Sequence, residues 1–416
     1  MVRQWAGFWI CAAVAWGTVG PRLFAAGFTV EGAVGHVRRH NPDLASARMA
    51  IAEARGRRNQ AGRLPNPELE TAIYPNVAGR EGFLTFEVNQ RLPLTGRLRL
   101  EKSITAIQIR VAEAEVGELE RTLAGDAAVA VVELGMLERQ RALRERQFAN
   151  SRELQAAAAR ATTVAEGSMI EADQFALEAE QLEIQRMQLE AERAALEGRF
   201  RPLLGLPASE PVRVELHPLE AATTNAVPAM AALRSDRRVA MERRRSAELS
   251  VALARAQRLQ DIGVGVVGQG QRVLDRPFGL RDESFLGLQV LVPLPLWNRN
   301  EGRIEEANAS LGRMDRELEA VELRIRSEVA AAQAQVRVAE SVLSRVTTHL
   351  LPSAIRVEEA LERLRATGQA TLTEVLRARE RRLLAESAGL EAERSLRRAQ
   401  VQLMTATGTI LTLNQP

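Results

Sequence analysis

Val292-Pro-Leu-Pro-Leu-Trp-Asn-Arg-Asn-Glu-Gly-Arg303 ends a strand-like segment at a Pro-Leu corner and opens a long helical tract. A shorter form of this phrase, Val88-Asn-Gln-Arg-Leu-Pro-Leu-Thr-Gly-Arg97, does the same in the first half of the chain. The tract after it has no proline before Pro202 and is rich in strong helix formers. Because a globular core rarely needs so long a helix, two such tracts predict an internally duplicated chain with a mechanical or conduit role.

The two phrases mark predicted corners between strand and helix, at Pro93, Gly96, Pro293, Pro295 and Gly302. Similar spacing recurs further along, where Gly167 and Gly368 are 201 residues apart. Each half shows the same predicted order: helix, strand, loop, strand, long helix, turn, long helix. We therefore predict one domain of two structural repeats, residues 27–225 and 226–416, with helix-hairpin tips near Gly167 and Gly368.

The first 26 residues are predicted to be an export signal. Arg3 precedes an apolar stretch from Trp5 to Val19, and the small pair Ala25-Ala26 follows. A membrane anchor is the competing interpretation, but this stretch is short for a bilayer span. The only cysteine, Cys11, lies inside it. The exported chain is therefore expected to have neither disulfides nor thiolate metal sites.

Charge and motifs give little sign of catalysis or nucleic-acid binding. The formal net charge is +3, and both signs are interspersed, as on solvated helix faces. Neither a phosphate-binding loop nor a metalloprotease motif is present. His36 and His40 are four residues apart but have no third ligand nearby, which favours a surface helix over a metal site. We expect no enzyme activity, cofactor, metal site or nucleic-acid partner.

The helical tracts carry a narrow apolar seam. It steps by three and four residues through Leu311, Met314, Leu318, Val321, Ile325, Val329 and Ala332. Leucines spaced by sevens continue it at Leu182, Leu189 and Leu196 and at Leu376, Leu383 and Leu390. Such spacing favours coiled-coil packing, although an ordinary helical bundle has the same periodicity.

Four alternating segments distinguish these two possibilities. They lie at Glu68 to Tyr74, Leu84 to Leu92, Asp261 to Gly270 and Ser284 to Val292. Their lengths are close to the roughly 9 to 11 residues of a tilted transmembrane strand, and six of the ten aromatics after residue 26 lie in or beside them. Four strands cannot close a barrel in lipid, so the protein must oligomerise. Three copies would supply twelve strands, enough to leave a lumen.

Four segments carry a family resemblance: Asn41-Pro-Asp-Leu-Ala-Ser-Ala-Arg48, Gln60-Ala-Gly-Arg-Leu-Pro-Asn-Pro-Glu68, Glu87-Val-Asn-Gln-Arg-Leu92 and Val292-Pro-Leu-Pro-Leu-Trp-Asn-Arg-Asn-Glu-Gly-Arg-Ile304. The chain resembles the TolC family of outer-membrane efflux proteins, most closely its CzcC-like branch. The resemblance implies a mainly α protein with a small β part. It would be a homotrimer whose twelve-stranded outer-membrane β-barrel, four strands per chain, continues into a long periplasmic α-helical coiled-coil barrel.

The resemblance also assigns roles at the hairpin tips, where the family has a glycine followed six residues later by a carboxylate. Gly368-Gln-Ala-Thr-Leu-Thr-Glu374 fits this pattern closely, and Gly167-Ser-Met-Ile-Glu-Ala-Asp173 fits it less well. The implied adaptor-docking residues are Gly167, Ser168, Gly368 and Gln369. The implied candidates for a periplasmic constriction are Asp173, Glu374 and Arg377.

Two alternatives remain for the acidic tip residues. Where some relatives have a second acid, nine residues after the glycine, this chain has Ala176 and Arg377. Glu374 could pair with Arg377 instead of lining a gate. A solvated helix start, where carboxylates suit the helix dipole, also explains both acids.

The predicted function is that of a passive outer-membrane channel in a tripartite efflux system of a Gram-negative bacterium, with most of the chain in the periplasm. By resemblance its partners are a periplasmic adaptor (membrane fusion) protein, an inner-membrane pump of the resistance-nodulation-division class and outer-membrane lipid. Its cargo would be small substrates such as metal ions or drugs. The alternatives are a periplasmic coiled-coil adaptor or scaffold and the channel of a type I protein secretion system.

Overall fold

The computed structural model describes residues 27–76, 80–161, 167–218 and 234–414. The predicted export signal, residues 1–26, lies outside them. The helices are α1 (Val30–His40), α2 (Pro42–Gln60), α3 (Arg97–Ala161), α4 (Gly167–Leu204), α5 (Ser235–Ala256), α6 (Glu301–Arg345), α7 (Leu351–Ala366) and α8 (Leu372–Thr407). The strands are β1 (Glu68–Pro75), β2 (Gly82–Leu92), β3 (Ile262–Asp275) and β4 (Gly279–Leu291).

The long helices follow from local sequence as well as from packing. With 65 residues, α3 is about 100 Å long at 1.5 Å of rise per residue. Asn41 caps α2 by accepting a hydrogen bond from the Leu44 N–H, and Pro42 occupies the first turn, where its missing N–H costs nothing. The helix then runs to Gln60.

A π-helical turn, Val346–Leu350, joins α6 to α7. Pro352 follows in the first turn of α7, and its ring has no N–H to donate to the preceding carbonyls, which favours the wider turn. The three segments therefore form one continuous rod, with Val346 buried.

The four strands form one antiparallel sheet in the order β1-β2-β3-β4. The long connection from α3 to α5 lies between β2 and β3, which are nevertheless neighbours in register from Gly82↔Arg272 to Leu92↔Ile262. Sequence alternation predicted all four strands, but β3 and β4 extend further towards their shared turn. The ion pair between Arg272 and Asp282 holds these added ends together, and such a pair leaves no mark in hydrophobic alternation.

The main core lies in the helical part, away from the sheet. It joins α1, the middle of α3, the end of α4 and the end of α8, and its fully buried side chains include Val34, Leu44, Val131, Phe200 and Ile410. A second cluster joins α6 to α8 through Ile325, Val329 and Ala332, together with Leu403 and Ala406. These α6 residues belong to the apolar seam, so the predicted coiled-coil packing is confirmed there.

Arg234, just before α5, ties three elements together. Its guanidinium is 2% exposed and donates to Asp236 (2.7 Å), to Glu328 of α6 (2.7 Å) and to the Ala406 carbonyl of α8 (3.0 Å). A buried cation with three acceptors fixes the relative position of these helices.

Replacing Arg234 by Met should lower the free energy of unfolding by about 1–3 kcal/mol, because the buried Ala406 carbonyl and both carboxylates lose their donor. The matched control is Arg316→Met, which removes an exposed pair with Glu319 and should lower the free energy of unfolding much less than Arg234→Met does. Thermal and urea denaturation of the detergent-solubilised protein measures both. Equal losses in the two variants would contradict the assigned role of Arg234.

Candidate functional site

The sheet has one apolar face whose side chains point away from the rest of the chain. In β2 this face carries Leu84, Phe86 and Val88, and in β4 it carries Leu286, Leu288 and Val290. Leu286 is 78% exposed and Leu288 84%, and a contiguous apolar patch of this kind marks a site of contact with another protein or with a membrane. This face is called the outer face, and its apolar surface suits contact with lipid.

The opposite, inner face is more polar. It presents Glu87, Asn89 and Arg91 from β2 and Gln289 from β4, although Leu291 at the end of β4 also lies on it. Glu87 and Asn89 are less exposed than the leucines of the outer face. Apolar residues outside and polar residues inside are the pattern of a transmembrane β-barrel wall.

Two glycines of β3 leave room for side chains of β2, one on each face of the sheet. A Cβ added at Gly268 would overlap the Phe86 ring on the outer face, and one added at Gly265 would overlap the Asn89 side chain on the inner face. The sheet can therefore pack large side chains of β2 over β3 without breaking its hydrogen-bonded register.

The first predicted corner, with Pro93 and Gly96, lies between β2 and α3. The Arg97 guanidinium donates to Asp261 (2.6 Å) at the start of β3 and to Glu101 (2.7 Å). The start of α3 is therefore tied to a neighbouring strand. This contact between Arg97 and Asp261, called the first clamp, leaves no local signal in the sequence, because the two residues are distant along the chain.

The second predicted corner, with Pro293 and Pro295, lies between β4 and α6. Gly302, which was also placed there, is the second residue of α6. Asn300 stands at the N-cap position of α6 in a left-handed conformation (φ 62°), and its side chain donates to the Ala254 carbonyl of α5 (2.7 Å) instead of capping the helix. This second clamp was also missed, because Ala254 is distant from Asn300 along the chain.

The two predicted tip regions lie side by side. Gly167 begins α4, and Ser168 follows within it, whereas the residues between α3 and α4 lie outside the described part of the chain. Gly368 is in the left-handed region (φ +75°) between α7 and α8, and Gln369 beside it is exposed. A small cluster of Leu154, Ala158, Phe175 and Leu376 packs α3, α4 and α8 together near this end.

Glu374 has a structural role in the first turn of α8. Its carboxylate accepts from the Thr371 N–H (2.7 Å) and hydroxyl (2.9 Å), and the Thr371 hydroxyl accepts from the Glu374 N–H. This is a capping box, which the spacing of Thr371 and Glu374 could have predicted. The Glu374 carboxylate is thus held by Thr371, and its suggested pairing with Arg377 stays a prediction.

The hydrogen bonds from Thr371 lower the pKa of Glu374 below its usual value. The cap is therefore complete above the ordinary carboxyl range and is lost only as the pH falls through that lowered pKa. Arg377 lies with its guanidinium carbon 5.6 Å from the centre of the Phe175 ring, and Asp173 is exposed on α4. All three predicted constriction residues lie at the tip end, and their role in a constriction stays a prediction.

The two histidines of the predicted surface helix lie elsewhere than expected. Within the described residues no cluster of three or more His, Cys, Asp or Glu side chains could hold a metal ion. The His36 and His40 rings stack 4.3 Å apart, and His36 is buried in the α1 contact with the core instead of lying on the surface as expected. Burial, followed by the nearby His40, lowers the pKa of His36.

Among the described residues, no helix combines the length and the apolar character that crossing a bilayer demands.

The fold matches solved structures along almost the whole chain. The outer membrane protein VceC from Vibrio cholerae is 18% identical with a TM-score of 0.71, and the match covers 91% of this chain and 96% of that one. CusC is 17% identical with a TM-score of 0.73 and 95% coverage of both chains. The MtrE outer membrane channel of Neisseria gonorrhoeae is 15% identical with a TM-score of 0.74, covering 93% of this chain and 91% of that one.

Sequence comparison gives an independent result for the second half of the chain. Residues 228–409 match the family model described as outer membrane efflux protein. No curated protein matches the sequence. The chain thus has the TolC-like fold, mainly helical with four antiparallel strands, and its residues 228–409 are similar to the outer membrane efflux protein family.

Proposed function

We propose that this protein is the outer-membrane channel component of a tripartite efflux system, a passive conduit across the periplasm and the outer membrane. The observation that carries the proposal is the apolar outer face of the sheet, joined directly to helices as long as α3. A wall that fits lipid on one side and water on the other suits a pore. The family match and the fold of known outer-membrane channels support the same function.

The open edges of the sheet support the proposed homotrimer. β1 and β4 form its two ends, and their outward backbone groups have no strand partner within the described chain. In lipid no water can satisfy those groups, so another chain must pair with them. Three chains place twelve strands in one closed barrel, which is wide enough for an aqueous lumen.

The helical part extends the conduit into the periplasm. It begins where the strands end, at the two corners, and finishes at the tips near Gly167 and Gly368. Ion pairs between α3 and α8, such as Arg139 with Glu393 (2.9 Å) and Arg146 with Glu386 (2.7 Å), help to hold the long helices together. Helices braced along their length suit a tunnel wall.

The partners follow from this geometry and from the family. The tips lie farthest from the membrane, and Gly167, Ser168, Gly368 and Gln369 are proposed to meet a periplasmic adaptor that connects to an inner-membrane pump. Asp173, Glu374 and Arg377 would lie near the periplasmic mouth. The cargo is proposed to be small substrates such as metal ions or drugs. The CzcC-like affiliation stays a prediction.

The two alternative functions differ in what they require. A periplasmic adaptor or scaffold has no use for an exposed apolar sheet face, so the outer face argues against it. A type I protein secretion channel would share the sheet and the helices, and only the transported cargo separates it from an efflux channel.

Two neighbouring substitutions in β4 test the membrane assignment. Leu288→Arg places a charge on the outer face and should destabilise the inserted protein by about 2–4 kcal/mol, whereas Gln289→Arg places the same charge on the polar inner face and should have little effect. The measurements are the amount of protein in purified outer membranes and its thermal midpoint in detergent. Equal tolerance of both changes would contradict a lipid-facing Leu288.

Two substitutions at Gly368 test adaptor docking. No atom lies within 4 Å of a Cβ added there, so only the positive φ limits the choice of residue. Gly368→Val should distort the tip at a cost of roughly 1–2 kcal/mol and reduce export, while Gly368→Asn, which tolerates this conformation, should preserve it.

The measurements are the accumulation of efflux dyes and metal ions in cells that depend on this channel, and the trimer content of their outer membranes. Both variants should keep the trimer. Unchanged export in Gly368→Val would remove the docking role.

A further inference from the structure

We propose that a cavity between α3, α4 and α8 binds a hard divalent cation, Ca²⁺ or Mg²⁺, through side-chain oxygens of all three helices. This cavity, called the tip cavity, has a volume of about 260 Å³ and lies between the main core and the tips. The inference goes beyond the proposed transport function and does not depend on it, because it assigns a ligand to the packed helices themselves.

Two buried oxygens of α3 line the tip cavity. Asn150 donates from its side-chain N–H to the Leu376 carbonyl of α8 (3.3 Å), but its Oδ1 accepts no hydrogen bond from a described residue. The Ser151 Oγ next to it is equally unpartnered within the described chain. Both residues are 4% exposed. Because a buried polar atom without a partner is costly, two of them beside one cavity indicate that the cavity holds a ligand.

Two carboxylates line the same cavity from the other two helices. Glu178 of α4 and Glu380 of α8 are both half-buried, and each of their helices packs against α3, with the cavity between them. Burial, followed by the nearby Glu178 carboxylate, raises the pKa of Glu380, while Arg377 and Arg381 have smaller, opposite effects. The two glutamates therefore repel each other, and a cation between them would stabilise both.

The positive charge at the cavity is already engaged by a neighbouring side chain. Arg144 donates to the Gln147 side chain (2.8 Å), whose amide N–H in turn donates to the Leu383 carbonyl (3.3 Å). The charged residues of the lining are this arginine together with Glu178 and Glu380, which gives one positive and two negative charges and a net charge of −1. The cavity therefore favours a cation.

The types of ligand atom indicate which cation fits. Besides the two carboxylates, Asn150 and Ser151, the lining includes the amide side chains of Gln181 and Gln185 and neither histidine nor cysteine. Ca²⁺ and Mg²⁺ prefer oxygen ligands and keep some water, whereas Zn²⁺ and softer metals favour nitrogen and sulfur. An organic ammonium has only three donors and would leave more of these oxygens unpaired.

The number of carboxylates sets the expected affinity. With two carboxylates and several neutral oxygens, the Kd should be on the order of 10⁻⁴ to 10⁻³ M, the range of weak extracellular calcium sites. Such a set also agrees with the lack, among the described residues, of any metal-binding cluster of three or more His, Cys, Asp or Glu side chains.

A bound cation would link α4 and α8 directly. Nearer the tips these helices meet over α3 through the small apolar cluster that includes Leu154, Phe175 and Leu376. The cation would add a polar link beside this cluster and should slow local opening of both helices, because a ligand that binds only the closed arrangement stabilises it.

Hydrogen exchange of the full-length, detergent-solubilised protein tests the site. The protein is stripped with EDTA and measured in EDTA, in millimolar CaCl₂ and in millimolar MgCl₂. We expect Ca²⁺ or Mg²⁺ to slow amide exchange in peptides covering residues 174–185 and 376–388, with half of the effect at about 10⁻⁴ to 10⁻³ M. Exchange in the four strands should not change.

Three variants separate the site from general effects of charge. Glu178→Gln should raise the concentration that gives half of the effect by roughly tenfold, and Ser151→Ala by less, because each removes one ligand. The matched control is Glu180→Gln, which removes the same charge from an exposed position of α4 outside the cavity and should respond like wild type.

The same variants show in EDTA that they are correctly folded. Glu178→Gln relieves the repulsion with Glu380, and Ser151→Ala removes an unpartnered hydroxyl. Both should therefore exchange no faster than wild type when no cation is present. A loss of response to Ca²⁺ or Mg²⁺ is then a loss of binding.

Three results would overturn the cation site. The first is wild-type protein that exchanges equally fast in EDTA and in either metal. The second is a full wild-type response in Glu178→Gln, because the cation would then bind elsewhere. The third is slowing by putrescine but by neither metal, which would identify an organic cation instead. Intact trimers that give any of these results would leave the proposed channel unaffected.

Discussion

The unpaired backbone groups at the two edges of the sheet constrain everything else in this molecule. A sheet with an apolar outer face can lie in lipid only if every N–H and C=O group is paired, and one chain of four strands cannot pair those at its edges. Assembly is therefore a condition for insertion. In a closed barrel the helices of every chain must also begin at the same level below the strands. The corners between strand and helix set that position.

The corners carry this geometry through two different clamps. Arg97 ties the start of α3 to Asp261, an ion pair, whereas Asn300 ties the start of α6 to Ala254, a neutral hydrogen bond. Further from the membrane, buried Arg234 joins α5, α6 and α8. Single polar side chains thus fix the relative positions of the helices at successive levels. Apolar stripes alone would allow neighbouring helices to slide along each other.

The sequence predicted the elements of this fold better than their contacts. Alternation located all four strands, because membrane strands alternate as clearly as those of a soluble sheet, and the spacing of Ile325 and Val329 located a real helix contact. The ends of β3 and β4 next to their shared turn were not predicted, because Arg272 and Asp282 stabilise them through charge. The division into two repeats stays a prediction.

The candidate site was predictable in a similar way. Gly368 has a positive φ between α7 and α8, and its spacing and neighbours are local features, while its role at the tip stays a prediction. The cap role of Glu374 could also have been deduced locally, from Thr371 three residues before it. The partners of Arg97 and Asn300 could not, because they are distant in sequence and meet only in the folded chain.

The assembly itself is the most direct test of this account. Outer membranes from cells that produce the protein are purified and extracted with mild detergent, and the mass of the extracted protein is measured by light scattering together with its circular dichroism. The account predicts a trimer with a mixed helix and strand signal. A soluble monomer recovered from the periplasm would contradict it.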